Sequence, residues 1–242
     1  MNFPLDIFSS VTALGIAVLG AVLQGSVGFG LGLIGVPMLV IIDPIFVPGP
    51  LLLAAFLLNL LISYRERVSI DVRGVMWAVP GRVLGAVLGA VVLFLVPRQH
   101  LSILFGAMVV LAVALSLAGL DLSPKPLNVL GAGTFSGFMG TTSAIGGAPM
   151  ALVFQGQKGP RIRGTLSVIF AFGTVISMVS LVIIGHFGLA EIQAALVLFP
   201  GVILGFYLSK KTARILDRGF IRLAVLVVSA VSGMFVILRS LF

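Results

Sequence analysis

No charged residue occurs between Ile7 and Ile42, and uncharged stretches of similar character recur to the end of the chain. A hydrocarbon layer needs about 20 apolar residues per helical crossing. Only structures that satisfy their own backbone hydrogen bonds survive there. The chain has 242 residues, of which 60% are hydrophobic and 9% charged. Its mean hydropathy is +1.27, and a soluble domain would carry about 25% charged residues. The reading is an all-α polytopic membrane protein, with the lipid bilayer as its first partner. Asp6 precedes the first apolar run and no basic residue leads it. The run is also too long for a cleaved signal, so it is expected to stay in the fold.

Composition removes several function classes. Cysteine is absent, which excludes disulfides and thiolate chemistry. The two histidines, His100 and His186, have no second ligand at helical spacing, so neither a metal nor a cofactor is expected. His186, beside Gly185, reads as interfacial, and His100 as a turn residue. The net charge is +8, which in a soluble protein would suggest nucleic acid. Here the bases fall in short segments between apolar runs, where they orient helices in a membrane. No nucleic-acid partner is expected.

Two of the apolar segments are built to break. QGSVGFGLGLIGVPM (24–38) and SGFMGTTSAIGGAPM (136–150) are dense in glycine, and each ends in proline and methionine. Gly25, Gly28, Gly35, Pro37 and Met38 fall on Gly137, Gly140, Gly147, Pro149 and Met150 at a constant offset of 112 residues. Farther on, Pro80-Gly81 and Leu84-Gly85 fall on Pro200-Gly201 and Leu204-Gly205, and Arg98 on Arg218, at an offset of 120. The order of these anchors predicts a duplication into halves 1–122 and 123–242. Each half reads as a broken hairpin (7–42; 127–154) followed by three full helices (47–63, 75–96, 101–120; 165–185, 192–209, 222–238).

The bases swap places between the halves. Asp43–Pro50 carries none, and the next loop carries Arg65, Arg67 and Arg73. In the second half, the segment after the broken hairpin holds Lys158, Arg161 and Arg163, whereas His186–Glu191 holds none; Lys210, Lys211, Arg214 and Arg218 follow the next helix. Read by the positive-inside rule, the halves have inverted topology, with both termini outside. That inversion requires the broken segments to enter and leave on one side, as re-entrant hairpins.

Non-helical backbone at membrane depth is tolerated where it is buried in protein or lines a wet cavity. A pair of inverted breaks marks a transporter's central site. Pro37 and Pro149 are expected at the first position of a new half-helix, where free N–H groups and the helix dipole suit an anion. The candidate site residues are Gln24, Gly25, Ser26 and Gly28 in the first break. In the second they are Ser136, Gly137, Thr141, Thr142, Ser143, Gly146 and Gly147. Asn59 and Arg82 join them from neighbouring helices. Arg82 lies inside a predicted span, about 10 Å deep by helix rise, and a charge there is a functional candidate. The blander readings are that glycines, Gly81, Gly85 and Gly89 above all, only let helices pack closely, and that Arg82 snorkels or pairs with Glu66 or Asp71. All seven acids, Asp6, Asp43, Glu66, Asp71, Asp121, Glu191 and Asp217, fall at predicted ends or loops, which speaks against a carboxylate cation path or proton relay. A serine hydrolase is not expected, because Gly133-Thr134-Phe135-Ser136-Gly137 has the wrong spacing for a nucleophile motif and both histidines lie at helix ends.

QGSVGFGLGLIGVPMLVIIDPIFVPGPLLL with Asn59, together with GFMGTTSAIGGAPM, resembles the sulfite exporter TauE/SafE family over nearly the whole chain. The matching motif positions are Gln24, Gly25, Gly28, Gly30, Gly35, Pro37, Gly137, Gly140, Gly147 and Pro149. The resemblance implies a multi-pass bacterial inner-membrane protein with duplicated halves. It also implies a small anionic substrate, sulfite or an organosulfonate such as sulfoacetate. The residues themselves reach only "small anion". Export by alternating access around the breaks is the expected function, and an anion channel or importer is the alternative. A homodimer stays open as a partner.

Overall fold

The computed structural model describes residues 6–118, 122–216 and 220–241. Among them the chain forms ten α-helices joined by turns: α1 Ile7–Val27, α2 Leu31–Ile42, α3 Gly49–Arg65, α4 Val72–Leu95, α5 Leu101–Leu117, α6 Pro126–Ser143, α7 Gly147–Phe154, α8 Gly159–Ile183, α9 Leu189–Leu216 and α10 Phe220–Leu241. Four of them, α1, α4, α8 and α9, are long and apolar enough to cross a membrane. Asp121, Asp217 and Arg218, and the side chain of Arg214, lie outside the described residues.

Several helix ends depart from expectation for local reasons. α4 starts at Val72 rather than 75 because the Asp71 carboxylate caps it, accepting from the Gly74 N–H at 3.1 Å. α8 starts at Gly159 rather than 165, because Pro160 falls in its first turn, where the missing N–H is harmless. Arg161 and Arg163, expected in a loop, therefore ride on a helix. α9 likewise runs through Lys210 and Lys211.

Close packing comes from absent side chains. A Cβ on Gly81 or Gly85 of α4 would strike the carbonyls of Leu130 or Thr134 on α6, and one on Gly89 would lie 2.9 Å from Phe138 O. From the other side, a Cβ on Gly133 would lie 2.6 Å from Ala78 O. The same device joins α9 to α1: Gly201 meets Leu14 O and Gly205 meets Val18 O, each at 2.6 Å from the missing Cβ. The packing reading of Gly81, Gly85 and Gly89 holds. Lipid tails give helices no hydrophobic reason to associate, so van der Waals contact between backbones takes that role. In both pairs the contacts climb together along the two sequences, so each pair is parallel. In contrast, α3 and α8 run antiparallel: Glu66 beyond the end of α3 meets Gly164 near the start of α8, and Gly49 at the start of α3 meets Phe187 beyond the end of α8. α5 and α10 are antiparallel too, with Gly106 against Ile237 and Val109 against Gly233.

Both broken segments end their first helix alike. Gly28 closes α1 at φ 103°, its N–H bonded to Gln24 O at 2.7 Å, and Ala144 closes α6 at φ 62°, its N–H bonded to Gly140 O at 2.8 Å. Gly30 and Gly146 then cap α2 and α7. The breaks thus correspond at an offset of 116 (144 minus 28), about one helical turn from the 112 that residue identity suggested. This corrects the position of the prolines. Pro37 lies inside α2, not at its start, and Pro149 is the third residue of α7. At Pro149 no intrahelical bond is forfeited, whereas Pro37 removes one to Leu33 O. The two breaks touch: a Cβ on Gly147 would lie 2.7 Å from Phe29 Cβ, and one on Gly32 would strike Ala144 O.

The end of α1 is pinned by two guanidinium groups. Arg65 Nη2 donates to Gly25 O (2.5 Å) and Arg163 Nη1 to Ser26 O (3.1 Å). Glu66 Oε1 accepts from the Nε of both, at 3.0 and 3.1 Å. Positive charge at a helix C-terminus is favourable.

Replacing Gly85 with Leu is expected to abolish the folded, monodisperse peak in detergent size exclusion, because a carbonyl cannot move aside as a side chain can. Gly131→Leu, where nothing lies within 4 Å, is expected to leave the peak intact. At Asp71, burial works against ionisation, but the Gly74 N–H and Arg161 outweigh it and hold the carboxyl below its usual range. Its contribution is therefore present above the ordinary carboxylate pKa and lost as pH falls through the lowered value. Asp71→Ala is expected to cost about 1 kcal/mol of thermal stability at neutral pH, with the gap to the parent narrowing in acid.

Candidate functional site

A helix N-terminus leaves its first N–H groups without intrahelical acceptors. Two such termini open onto one cavity of about 40 Å³, lined by Gly30, Gly32 and Leu33 from α2 and by Gly146, Gly147 and Ala148 from α7. That volume admits a few waters or a solute of similar size. Each terminus carries about half a positive charge. Such a pairing needs the two breaks side by side, which the Phe29–Gly147 and Gly32–Ala144 contacts provide.

Arg82 adds the only full charge on the lining among the described residues. It stands ten residues beyond the start of α4, about 15 Å along the axis, and is 2% exposed. It does not snorkel, and neither Glu66 nor Asp71 pairs with it: Glu66 is engaged by Arg65 and Arg163, and Asp71 by Arg161. Instead Nη1 donates to Ser136 Oγ (2.5 Å), and the Ser136 hydroxyl donates onward to Gly146 O (2.5 Å). The guanidinium lies over the Phe170 ring, 5.2 Å from its centroid, and fits against α8 because Gly173 has no side chain there. Nε is buried without a hydrogen-bond partner. A cation held by one neutral hydroxyl and a ring face, with no carboxylate, has its counter-charge still to find.

Elsewhere on the lining, Gln24 Oε1 accepts the Leu31 N–H (3.1 Å), and Gln24 Nε2 donates to Asn59 Oδ1 (2.8 Å). Gln24 thereby satisfies the first N–H of α2 and ties it to α3.

Of the residues singled out in the sequence, Gln24, Asn59, Arg82, Gly146 and Gly147 line the cavity. Ser136 stands behind Arg82. The others are used elsewhere. Gly25 packs on Ser209, Gly28 lies against Arg163, and Gly137 meets the backbone of Arg82. Ser26 bonds Thr212 at 2.9 Å and Thr141 bonds Ser177 at 2.7 Å. Thr142 and Ser143 donate back to Phe138 O and Met139 O in their own helix. Phe29, Phe170, Gly173 and Thr174 were not foreseen. Aligning the two breaks at their caps would have brought Phe29 and Ile145 forward together; the α8 residues carry no polar pattern that sets them apart.

A scan of protein families matches the chain over residues 13–236 to the family described as Sulfite exporter TauE/SafE. No curated protein and no solved structure matches it. The match covers nearly the whole helical assembly and includes both breaks, Asn59 and Arg82, so the chain belongs to the TauE/SafE sulfite exporter family, whose members move sulfur-containing anions across membranes.

Proposed function

We propose that this protein exports a small sulfur oxyanion, sulfite or a compact organosulfonate, by alternating access around the cavity between the two breaks. The observation that carries the reading is the meeting of two helix N-termini with Arg82 on a cavity lined by no carboxylate among the described residues. All the fixed charge there favours an anion. The small volume favours sulfite over longer sulfonates.

Inverted halves, 1–122 and 123–242, support a rocking mechanism. Exchanging α1 with α6, α2 with α7, α3 with α8, α4 with α9 and α5 with α10 carries the most extensive packing pairs onto one another: α4–α6 becomes α9–α1, α3–α9 becomes α8–α4, and α10–α2 becomes α5–α7. The antiparallel pairs α3–α8 and α5–α10 fit a twofold axis in the membrane plane. In the bacterial inner membrane both termini would lie outside, and the basic ends near Arg65, Arg163 and Lys210 inside. Export of each negative charge then gains about 2.3 kcal/mol per 100 mV, so no coupling ion is required.

In proteoliposomes, sulfite efflux is expected to saturate with concentration at rates far below those of a pore. Linear, unsaturable flux would make the protein a channel. Arg82→Ala is expected to lower sulfite flux at least about tenfold, a loss of one charge-assisted contact worth about 1.5–3 kcal/mol, and Arg82→Lys to recover part of it. Flux unchanged in Arg82→Ala, with the protein folded, would remove the site from this cavity.

A further inference from the structure

The backbone sets the polarity of the amide pair on the α2 side of the cavity. The Leu31 N–H can only donate, so the Gln24 atom that meets it is the oxygen. The Gln24 nitrogen must then face Asn59, and the Asn59 atom that meets it must be the oxygen. Asn59 lines the cavity at 1% exposure, and with its oxygen turned to Gln24 the N–H groups are the side chain's unspent donors. One immovable donor, read through two amides, makes Asn59 a donor as well.

The charged and helix-terminal groups of the lining have the same sense. Arg82 only donates. The free N–H groups of α2 and α7 only donate. Three of the lining carbonyls are engaged within the protein: Gly30 O by the Ile34 N–H, Gly140 O by the Ala144 N–H, and Gly146 O by Ser136. Among the described residues no aspartate, glutamate or histidine lines the cavity, and the Thr174 hydroxyl is the one side chain able to turn either way.

We propose that Gln24 is a positioning residue which fixes Asn59 as a donor, and that the resulting donor-rich cavity selects fully deprotonated oxyanions over protonated ones of equal charge and shape. Sulfate and monohydrogen phosphate form the sharpest pair: both are tetrahedral dianions in mildly alkaline solution, and only phosphate carries an O–H. Burying that O–H without an acceptor is unfavourable. The cavity therefore refuses hydrogen phosphate while it accepts sulfur oxyanions, which keeps a phosphate-rich interior from being emptied through an anion exporter. This rests on the anion-site reading above.

The test is binding of sulfate, sulfite and inorganic phosphate to the purified full chain in mildly alkaline buffer, by calorimetry or thermal shift. The parent is expected to bind sulfate at least about tenfold more tightly than hydrogen phosphate, one unmet hydrogen bond's worth. In Gln24→Glu, the carboxylate accepts the Leu31 N–H and also demands a donor from Asn59, whose amide then turns its oxygen to the cavity. Asn59→Asp places an acceptor there directly. Both variants are expected to bind more weakly overall, and in both the sulfate-to-phosphate ratio is expected to fall toward one. A purely structural role for Gln24 would weaken both ligands and leave the ratio where it was. If the parent binds sulfate and phosphate equally, or the ratio survives in whichever variants fold, the selection proposed here is wrong and the anion site stands. If the parent binds none of the three anions, the anion site itself is wrong.

Discussion

The fold turns on backbone N–H groups that have no partner inside the membrane. An unbroken helix hides all of its own. Here α1 and α6 stop at left-handed caps, and α2 and α7 begin again with first N–H groups that have no acceptor within the helix. Some of that donor capacity is met by the protein, as Gln24 meets Leu31. The remainder lies at the cavity between the breaks. Everything around the breaks holds those two ends together and keeps carboxylates away from them.

The holding is done by glycine. Helices α4 and α6, and α9 and α1, approach so closely that carbonyls occupy the space a Cβ would need. Backbone-to-backbone packing leaves little slack, so the break at the end of each inner helix is located by the helix beside it. Arg82 illustrates the result: its own carbonyl packs on Gly137, while its side chain reaches past Gly173 to the capping residue of α7 by way of Ser136.

Electrostatics follows from which charges are already spoken for. Glu66 bridges Arg65 and Arg163, one carboxylate between two cations, while both guanidinium groups serve the carbonyls at the end of α1. Asp71 takes Arg161 and caps α4. Arg82, with no carboxylate partner among the described residues, is left facing the cavity, where two helix dipoles also point. The family to which the chain belongs moves sulfur-containing anions, and the positive character of this cavity is what the proposed site rests on.

Hydrophobicity, glycine spacing and the placement of bases are local properties, and they were legible in order of sequence: the helical membrane class, the two breaks, the packing glycines of α4, and Arg82 as the charge inside a span. Three-dimensional facts were not. Identity matching set the breaks one turn out of register, because a left-handed cap is a backbone state that Gly28 and Ala144 share without sharing a side chain. Hydroxyls near the second break looked like ligands, yet Thr142 and Ser143 bond their own helix, a choice made by rotamer rather than by residue type. Phe170 and Gly173 gave no signal at all, since a ring face and an empty space acquire meaning only when a guanidinium is brought against them. What the chain alone determined was an apolar helical assembly interrupted at two glycine-rich breaks. Which groups surround the broken ends was decided by packing between segments far apart in sequence, such as Gln24 with Asn59 at a separation of 35 and Arg82 with Ser136 at 54, and no local pattern encodes contacts at that distance.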